Sequence, residues 1–304
     1  MLTQCVESYL AIRRAAGFVL KSTGLLLKNF AAFSEKRGEC DYIRAPIAIE
    51  WAGLTKSVHE RARRLAVVIR FSKYLHAEDG RHEIPPGVFG SGKRPRPVPY
   101  ILAPDNIRQI ISAALRSGYR TLRGYTYSTL FALRACTGLR VSEAIRLRLN
   151  DITPDGLVIR KTKFRKSRLV PLHDTARAGL ERYLQRRLPY APGDDHVFVS
   201  LARKPLLLDK VESAFRTAAR AIGLPDEPKR SRPTPHSLRH TFAVRALQAC
   251  PDGRDAITQH MIALSTYLGH ATVASTYWYL EAVPELMNDI AVRCERFVMG
   301  GGLL

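Results

Sequence analysis

Apolar positions in the first eighty residues recur at helical spacing. Val6, Leu10 and Ile12 to Ala16 predict a first helix ending near Gly17, and Leu25 to Phe33 predicts a second ending near Gly38. A long third helix is predicted over 58–75, with Leu65, Val68, Ile69 and Phe71 as its apolar stripe and Arg61, Arg63, Arg64, Arg70 and Lys73 on the same helix. The periodicity then stops. Residues 84–101 are crowded with Pro and Gly and carry Lys93, Arg94 and Arg96. Proline removes backbone donors, so this stretch reads as an extended linker, either tracking a phosphate backbone or serving as a plain tether. Beyond it, helices are predicted over 104–116, 121–136 and 141–147. Two short alternating runs, 156–160 and 167–171, read as strands around a Lys/Arg-rich turn. Further helices are predicted over 174–188, 210–222, 236–249, 257–268 and 284–298. The fold class is therefore mainly α with a small β-sheet: an N-terminal helical domain over 1–83, a linker over 84–101 and a second domain over 102–304.

Composition narrows the function. A chain of 304 residues with 46% hydrophobic content can form two cores. It carries 48 Lys+Arg against 27 Asp+Glu, a net charge of +21, and both halves share the excess. Such a charge favours a polyanionic partner over a role in solubility alone. An anionic membrane surface would call for a basic amphipathic helix or a lipidation signal, and neither is evident. The five cysteines (Cys5, Cys40, Cys136, Cys250, Cys294) are an odd number with no C-x-x-C pair, which argues against a disulfide scaffold or a zinc ribbon. Glu7, Arg13 and Arg14 interrupt any secretory h-region, and no apolar stretch approaches the roughly 20 residues of a spanning helix. The expected location is cytoplasmic.

Five scattered segments carry candidate chemistry: 137–143, the basic turn with Lys163, 236–240, 268–270 and Tyr279. Transfer of a phosphodiester to a tyrosine needs the non-bridging oxygens neutralised, the phenol deprotonated and the leaving 5′ oxygen protonated. The planar fork of arginine binds phosphate oxygens bidentately. Arg140 follows the Gly138 turn and opens a helix. Arg239 lies three residues after His236, so the two share a helix face. His236 and His240, four apart, could hold a metal, but Ser237 stands where the zinc-protease pattern requires Glu, and His240 reads as locally packed. His270 follows Gly269 at a helix end. Tyr277 and Tyr279 lie about 200° apart on a helix, so one of them at most faces the site, and composition does not choose. Six of the nine residues 160–168 are basic, and Lys161 and Lys163 alternate onto one strand face, leaving that choice open as well.

Together these segments resemble the tyrosine recombinase (phage-integrase) superfamily, of the Xer-like kind. Residues 137–143 resemble its first arginine box, with Arg140 as the arginine; Pro235-His236-Ser237-Leu238-Arg239-His240-Thr241 resembles the H-x-x-R box; Leu268-Gly269-His270 resembles the L-G-H box. Tyr279, nine residues beyond His270, falls where the family's nucleophile falls. The family's lysine lies eight residues before the proline of a V-P-L, and counting back from Pro171 gives Lys163. Thr162 and Phe164 stand where relatives usually have glycines, and Tyr277-Trp278 makes a bulky lead-in to Tyr279.

The resemblance implies a core-binding (SAM-like) helical domain followed by an α+β catalytic domain. It implies site-specific DNA cutting and rejoining through a 3′-phosphotyrosyl link, without ATP or metal. Tyr279 would be the nucleophile, Arg140 and Arg239 would hold the phosphate, Lys163 would be the general acid, His236 would be base or hydrogen-bond partner to the tyrosine, and His270 would support the phosphate. The partners implied are double-stranded DNA at paired recombination sites and a homotetrameric or heterotetrameric synapse. Segment 284–298 would dock on a neighbouring protomer, packing in cis being the alternative. The rival readings are a type IB topoisomerase, which relaxes supercoils as a monomer, and a non-catalytic DNA-binding accessory protein. A two-metal nuclease would need clustered carboxylates, which the sequence does not show.

Overall fold

The computed structural model describes residues 1–90, 98–118, 121–160, 167–226, 232–249, 254–270 and 272–282. Lys161, Lys163, much of the proline-rich stretch and the helix predicted over 284–298 lie outside the described residues. The chain forms two compact units, Met1–Arg96 and Pro97–Leu304. The division falls inside the stretch read from the sequence as a linker.

The first unit holds four helices: α1 (Leu2–Ala15), α2 (Lys21–Lys36), α3 (Ala45–Gly53) and α4 (Val58–Glu78). Each apolar stripe feeds one core, in which Leu10, Leu27, Phe30, Trp51, Val68 and Phe71 are all but completely buried. Trp51 meets Phe30 edge-on at 5.4 Å, while its indole N–H donates to Asn29 Oδ1 at 2.8 Å. Helix α4 starts at Ser57, whose Oγ accepts from the Glu60 N–H, with Glu60 also placed well for the helix dipole. Helix α3 is absent from the sequence reading. It is only nine residues long and nearly all apolar, so it shows no polar face from which a period can be read.

The second unit builds outward from α6 (Leu122–Thr137), which packs against α5 (Pro104–Arg116), α8 (Asp174–Tyr190), α9 (Leu208–Arg220) and α10 (Pro235–Gln248). A short α7 (Val141–Ala144), then α11 (Arg254–Leu268) and α12 (Ala274–Ala282), complete the helices among the described residues. The antiparallel sheet has three strands in the order β1 (Ile152–Thr153), β2 (Gly156–Ile159), β3 (Arg168–Val170). Register sets Leu157 opposite Val170 and Ile159 opposite Arg168, and the buried Leu157, Ile159 and Val170 turn one face to the core. The sequence foretold β2 and β3; β1 is two residues long, too short to carry an alternation. No helix among the described residues is long and apolar enough to cross a membrane.

Replacing Phe30 by Ala should weaken the first unit by about 3–5 kcal/mol, the usual cost of emptying a buried aromatic site. The chain has two tryptophans, so Trp51 fluorescence in a Trp278→Phe background isolates this unit in a urea titration. A loss below about 1 kcal/mol would contradict the packing described.

Candidate active site

Two glycine turns position the cations. Helix α6 ends at Gly138, in the left-handed region at φ 62°, and α11 is followed by Gly269 at φ 64°. Side chains are barred from both places: a Cβ on Gly138 would lie 2.6 Å from Phe242 Cδ1, and one on Gly269 would lie 2.7 Å from Arg168 Nη1. The turns leave helix-end carbonyls pointing outward, and the arginines take them. Arg239, in α10 and 2% exposed, donates from Nη1 to Gly138 O and from Nη2 to Leu268 O, both at 2.7 Å. Arg140 sits at the start of α7 and donates from Nη2 to Gly269 O at 2.8 Å and from Nη1 to Glu143 Oε1 at 2.8 Å. A guanidinium has five N–H donors. These bonds fix the planes of both groups and leave donors for an oxyanion.

Glu143 holds the arginines in register. Besides Arg140 it accepts from both Nη atoms of Arg168, at 3.1 and 2.9 Å, and from the Arg140 backbone N–H at 3.0 Å. Burial pushes its carboxyl up, but the hydrogen bonds and charges of Arg168 and Arg140 overcome this and hold its pKa at about 2. Arg168 also donates from Nε to Tyr267 O at 2.7 Å, tying β3 to α11.

Helix α10 opens with Pro235 in its first turn, while the Thr234 N–H donates to Ser237 Oγ at 3.0 Å. This sets His236, Arg239 and His240 along one face. The His236 and His240 rings meet edge-on at 4.7 Å. His240 Nδ1 lies 3.2 Å from Tyr279 Oη. With its proton on Nε2, the imidazole accepts the phenol O–H. Burial among neighbouring atoms and then the charges of Arg134, Arg239 and Arg140 lower the His236 pKa to about 4, although the residue is solvent-exposed. Burial, then His236 and the neighbouring arginines, lower that of His240 to about 3. Both imidazoles are therefore neutral at pH 7.

The site thus gathers Arg140, His236, Arg239, His270 and Tyr279. Tyr279 is 3% exposed and Tyr277 51% exposed, so packing separates two residues that spacing did not. The His270 ring lies stacked 6.2 Å from Tyr279, with Nδ1 2.8 Å from Thr276 Oγ1. Lys163 lies outside the described residues. His240, read from the sequence as locally packed, is also the histidine hydrogen-bonded to the phenol. It stands where the same turn of α10 carries Arg239, and its i, i+4 relation to His236 was the available signal. Arg168 and Glu143 went without roles for a different reason, because charged residues on a basic hairpin and in a helix's first turn look like solvated surface. The one group of three metal-type ligands among the described residues, Asp194, Asp195 and His196, does not include His236 or His240, and its carboxylates are already engaged by Arg187 and Arg148.

Unfolded imidazoles take up a proton near pH 6.5, and these folded ones do so only near 4 and 3. Between those values the unfolded chain binds more protons, so stability of the second unit should fall as the pH falls. The slope attributable to His240 approaches about 1.4 kcal/mol per pH unit, and His236, partly exposed, contributes less. NMR of the ring protons should show both histidines at neutral shifts down to pH 5. Titration of either near 6.5 would contradict the packing.

Residues 101–285 match the phage integrase family. The integrase/recombinase y4rB of Sinorhizobium fredii is 36% identical over 304 residues, covering 96% of both chains. The tyrosine recombinase XerD of Caulobacter vibrioides is 32% identical over 235 residues, covering 75% of this chain and 72% of that protein. Among solved structures, the XerH site-specific recombinase bound to its palindromic difH substrate, a post-cleavage complex, superposes with a TM-score of 0.66 at 19% identity, covering 96% of this chain and 85% of that one; at that identity the likeness speaks for the fold. With a matching domain that spans most of the second unit and relatives aligned along nearly the whole chain, this protein belongs to the phage integrase family and is a tyrosine-type site-specific recombinase.

Proposed function

We propose that Tyr279 is the nucleophile that cuts double-stranded DNA in this recombinase, and that Arg140 and Arg239 hold the scissile phosphate. The observation that carries this reading is the Tyr279 Oη to His240 Nδ1 bond of 3.2 Å beside two guanidiniums whose planes are already fixed. A phenol has a pKa near 10, and a neutral imidazole facing cations eases its deprotonation. As Tyr279 Oη bonds to phosphorus, its proton passes to His240 Nδ1. The P–O5′ bond breaks, and the departing 5′ oxygen takes a proton from Lys163, the general acid. His236 supports His240 from the adjoining turn, and His270 lines the pocket beside the tyrosine and the phosphate. Arg140 and Arg239 neutralise the charge growing on the non-bridging oxygens. Preorganised donors of this kind are each worth about 10²–10³ in rate.

The aryl phosphodiester keeps the energy of the broken bond, so a 5′ hydroxyl from another strand reverses the step without ATP. These steps use side chains alone, with no metal ion. Exchange between two duplexes requires four protomers on paired sites. The first unit, with its basic long helix, grips DNA as a core-binding domain, and the protein works in the cytoplasm at the nucleoid. The kinship with XerD and the XerH complex with its substrate support DNA as the partner.

Fragmented genomic DNA captured covalently by the protein would reveal the cleavage sequence, and a nicked suicide duplex of that sequence then serves every test. Tyr279→Phe should lose adduct formation entirely while DNA binding is retained, and Tyr277→Phe should keep it. The reverse pattern would move the nucleophile to Tyr277.

Lys163→Ala should lose cleavage by about 10²–10⁴ on the natural substrate. Replacing the 5′ leaving oxygen by sulfur, which needs no proton to depart, should restore most of the rate. Equal loss on both substrates would remove Lys163 from the general-acid role.

A further inference from the structure

Among the described residues, two arginines of the second unit besides Arg239 are completely buried, and they are bonded to different extents: both Nη atoms of Arg187 have partners and its Nε does not. Arg187, on α8, donates from Nη1 to Ala191 O at 3.0 Å and from Nη2 to Asp194 O at 2.6 Å, with the Asp194 carboxylate at 3.5 Å. It ties down a loop. Arg134, near the end of α6, makes a single bond of this kind, from Nε to Leu139 O at 3.1 Å. Its buried Nη1 and Nη2 have no hydrogen-bond partner among the described residues. The side chain is 0% exposed and shares a helix face with Leu130, Phe131 and Thr137.

Its charge is uncompensated as well. Arg239 on α10 repels it, and Glu143 on α7, the carboxylate that attracts it, is already bonded by Arg140 and Arg168. Burial followed by the Arg239 charge lowers its pKa to about 9, which leaves it a cation at neutral pH. The same charge faces His236 and His240 on α10 and helps to keep both neutral. A buried guanidinium with open donors and no carboxylate bonded to it destabilises a fold. Leucine or methionine would suit this face better for packing. Costs of this kind persist where they serve the site. Leu139, the residue Arg134 bonds, directly precedes Arg140.

We propose that Arg134 is a positioning residue for the phosphate grip: its bond to the Leu139 carbonyl sets the turn that presents Arg140, and its charge, which no carboxylate of its own pairs and which Arg239 feels, adds to the field that draws negative charge onto the phosphate. This rests on Arg140 and Arg239 being the gripping pair.

The test uses the full chain and the suicide duplex, with a natural phosphate or a neutral methylphosphonate at the cut. Arg134→Met removes donor and charge. Arg134→Gln places an amide nitrogen at the position of Nε along the side chain, keeping the donor and losing the charge; Arg134→Lys keeps the charge. Met should leave Tm unchanged or higher while slowing adduct formation on the phosphate by at least about tenfold. Gln should also be slower on the phosphate yet match the parent within about twofold on the methylphosphonate, and Lys should restore most of the rate. The proposal is overturned if Met or Gln cleaves the phosphate at the parent rate, or if Lys is no faster than Met. It is equally overturned if the loss is the same on both substrates and comes with a lower Tm, which would make Arg134 merely structural. Should Met fail to fold, Gln decides, and if Gln fails to fold too the structural role stands in its place. An Arg140→Ala control that still cleaves would sink the phosphate-grip reading instead, and this proposal with it.

Discussion

The two guanidinium groups of Arg140 and Arg239 are held by backbone carbonyls at the ends of other helices. Arg239 takes Gly138 O at the end of α6 and Leu268 O at the end of α11, and Arg140 takes Gly269 O just beyond α11. The last carbonyls of a helix have no partner within it and carry the negative end of its dipole. A cation there satisfies the orphan oxygens and is itself oriented. Segments more than a hundred residues apart in sequence are thereby tied into one cluster, and the cations are aimed before any phosphate arrives. That order matters for catalysis, because donors already in place cost no rearrangement during the reaction.

The charge balance of the cluster follows from this arrangement. One carboxylate, Glu143, serves Arg140 and Arg168, while Arg134 and Arg239 add two further buried cations. Burial lowers the pKa of the neighbouring imidazoles, and the surplus charge adds to that. A charged His240 could not accept the proton of Tyr279, whereas a neutral one can. Burial first, and then the charges of Arg239 and Arg134, therefore keep the tyrosine's hydrogen-bond partner in the form able to accept its proton.

Residues whose chemistry is unusual for their surroundings were legible in the sequence, and residues that resemble ordinary surface were not. Arg140, His236, Arg239, His270 and Tyr279 stood out as a combination on a very basic chain, and it was their likeness to the recombinase boxes that singled them out. Periodicity could not separate Tyr277 from Tyr279, since that choice depends on which side of α12 meets α10. His240 packs against its neighbours as read, but its hydrogen bond to Tyr279, 39 residues away, leaves no mark on the sequence. Arg134 and Arg168 passed as members of a large basic population; burial and counter-ions distinguish them, and neither is visible in a one-dimensional pattern. Among the elements, the long periodic helices were recoverable, whereas α3 lacks a polar face and β1 lacks the length for alternation.

The candidate residues cluster at helix termini, and this sets what limits the precision of the site. His236 lies in the first turn of α10, Arg140 opens α7, and Gly138 and Gly269 close α6 and α11. Termini are only as fixed as the bodies behind them. Here Phe242, stacked on Tyr267 at 5.5 Å, lies directly beneath Gly138 and leaves no room for a Cβ. The Leu102 N–H donates to Thr241 Oγ1 at 2.9 Å, anchoring the same helix to the chain before α5. Any side chain at 138 would have to displace Phe242 or lift the turn, and lifting the turn moves the carbonyl that aims Arg239. Packing beneath a glycine thus determines the direction of a guanidinium, and the geometry of the proposed phosphate grip is inherited from the core.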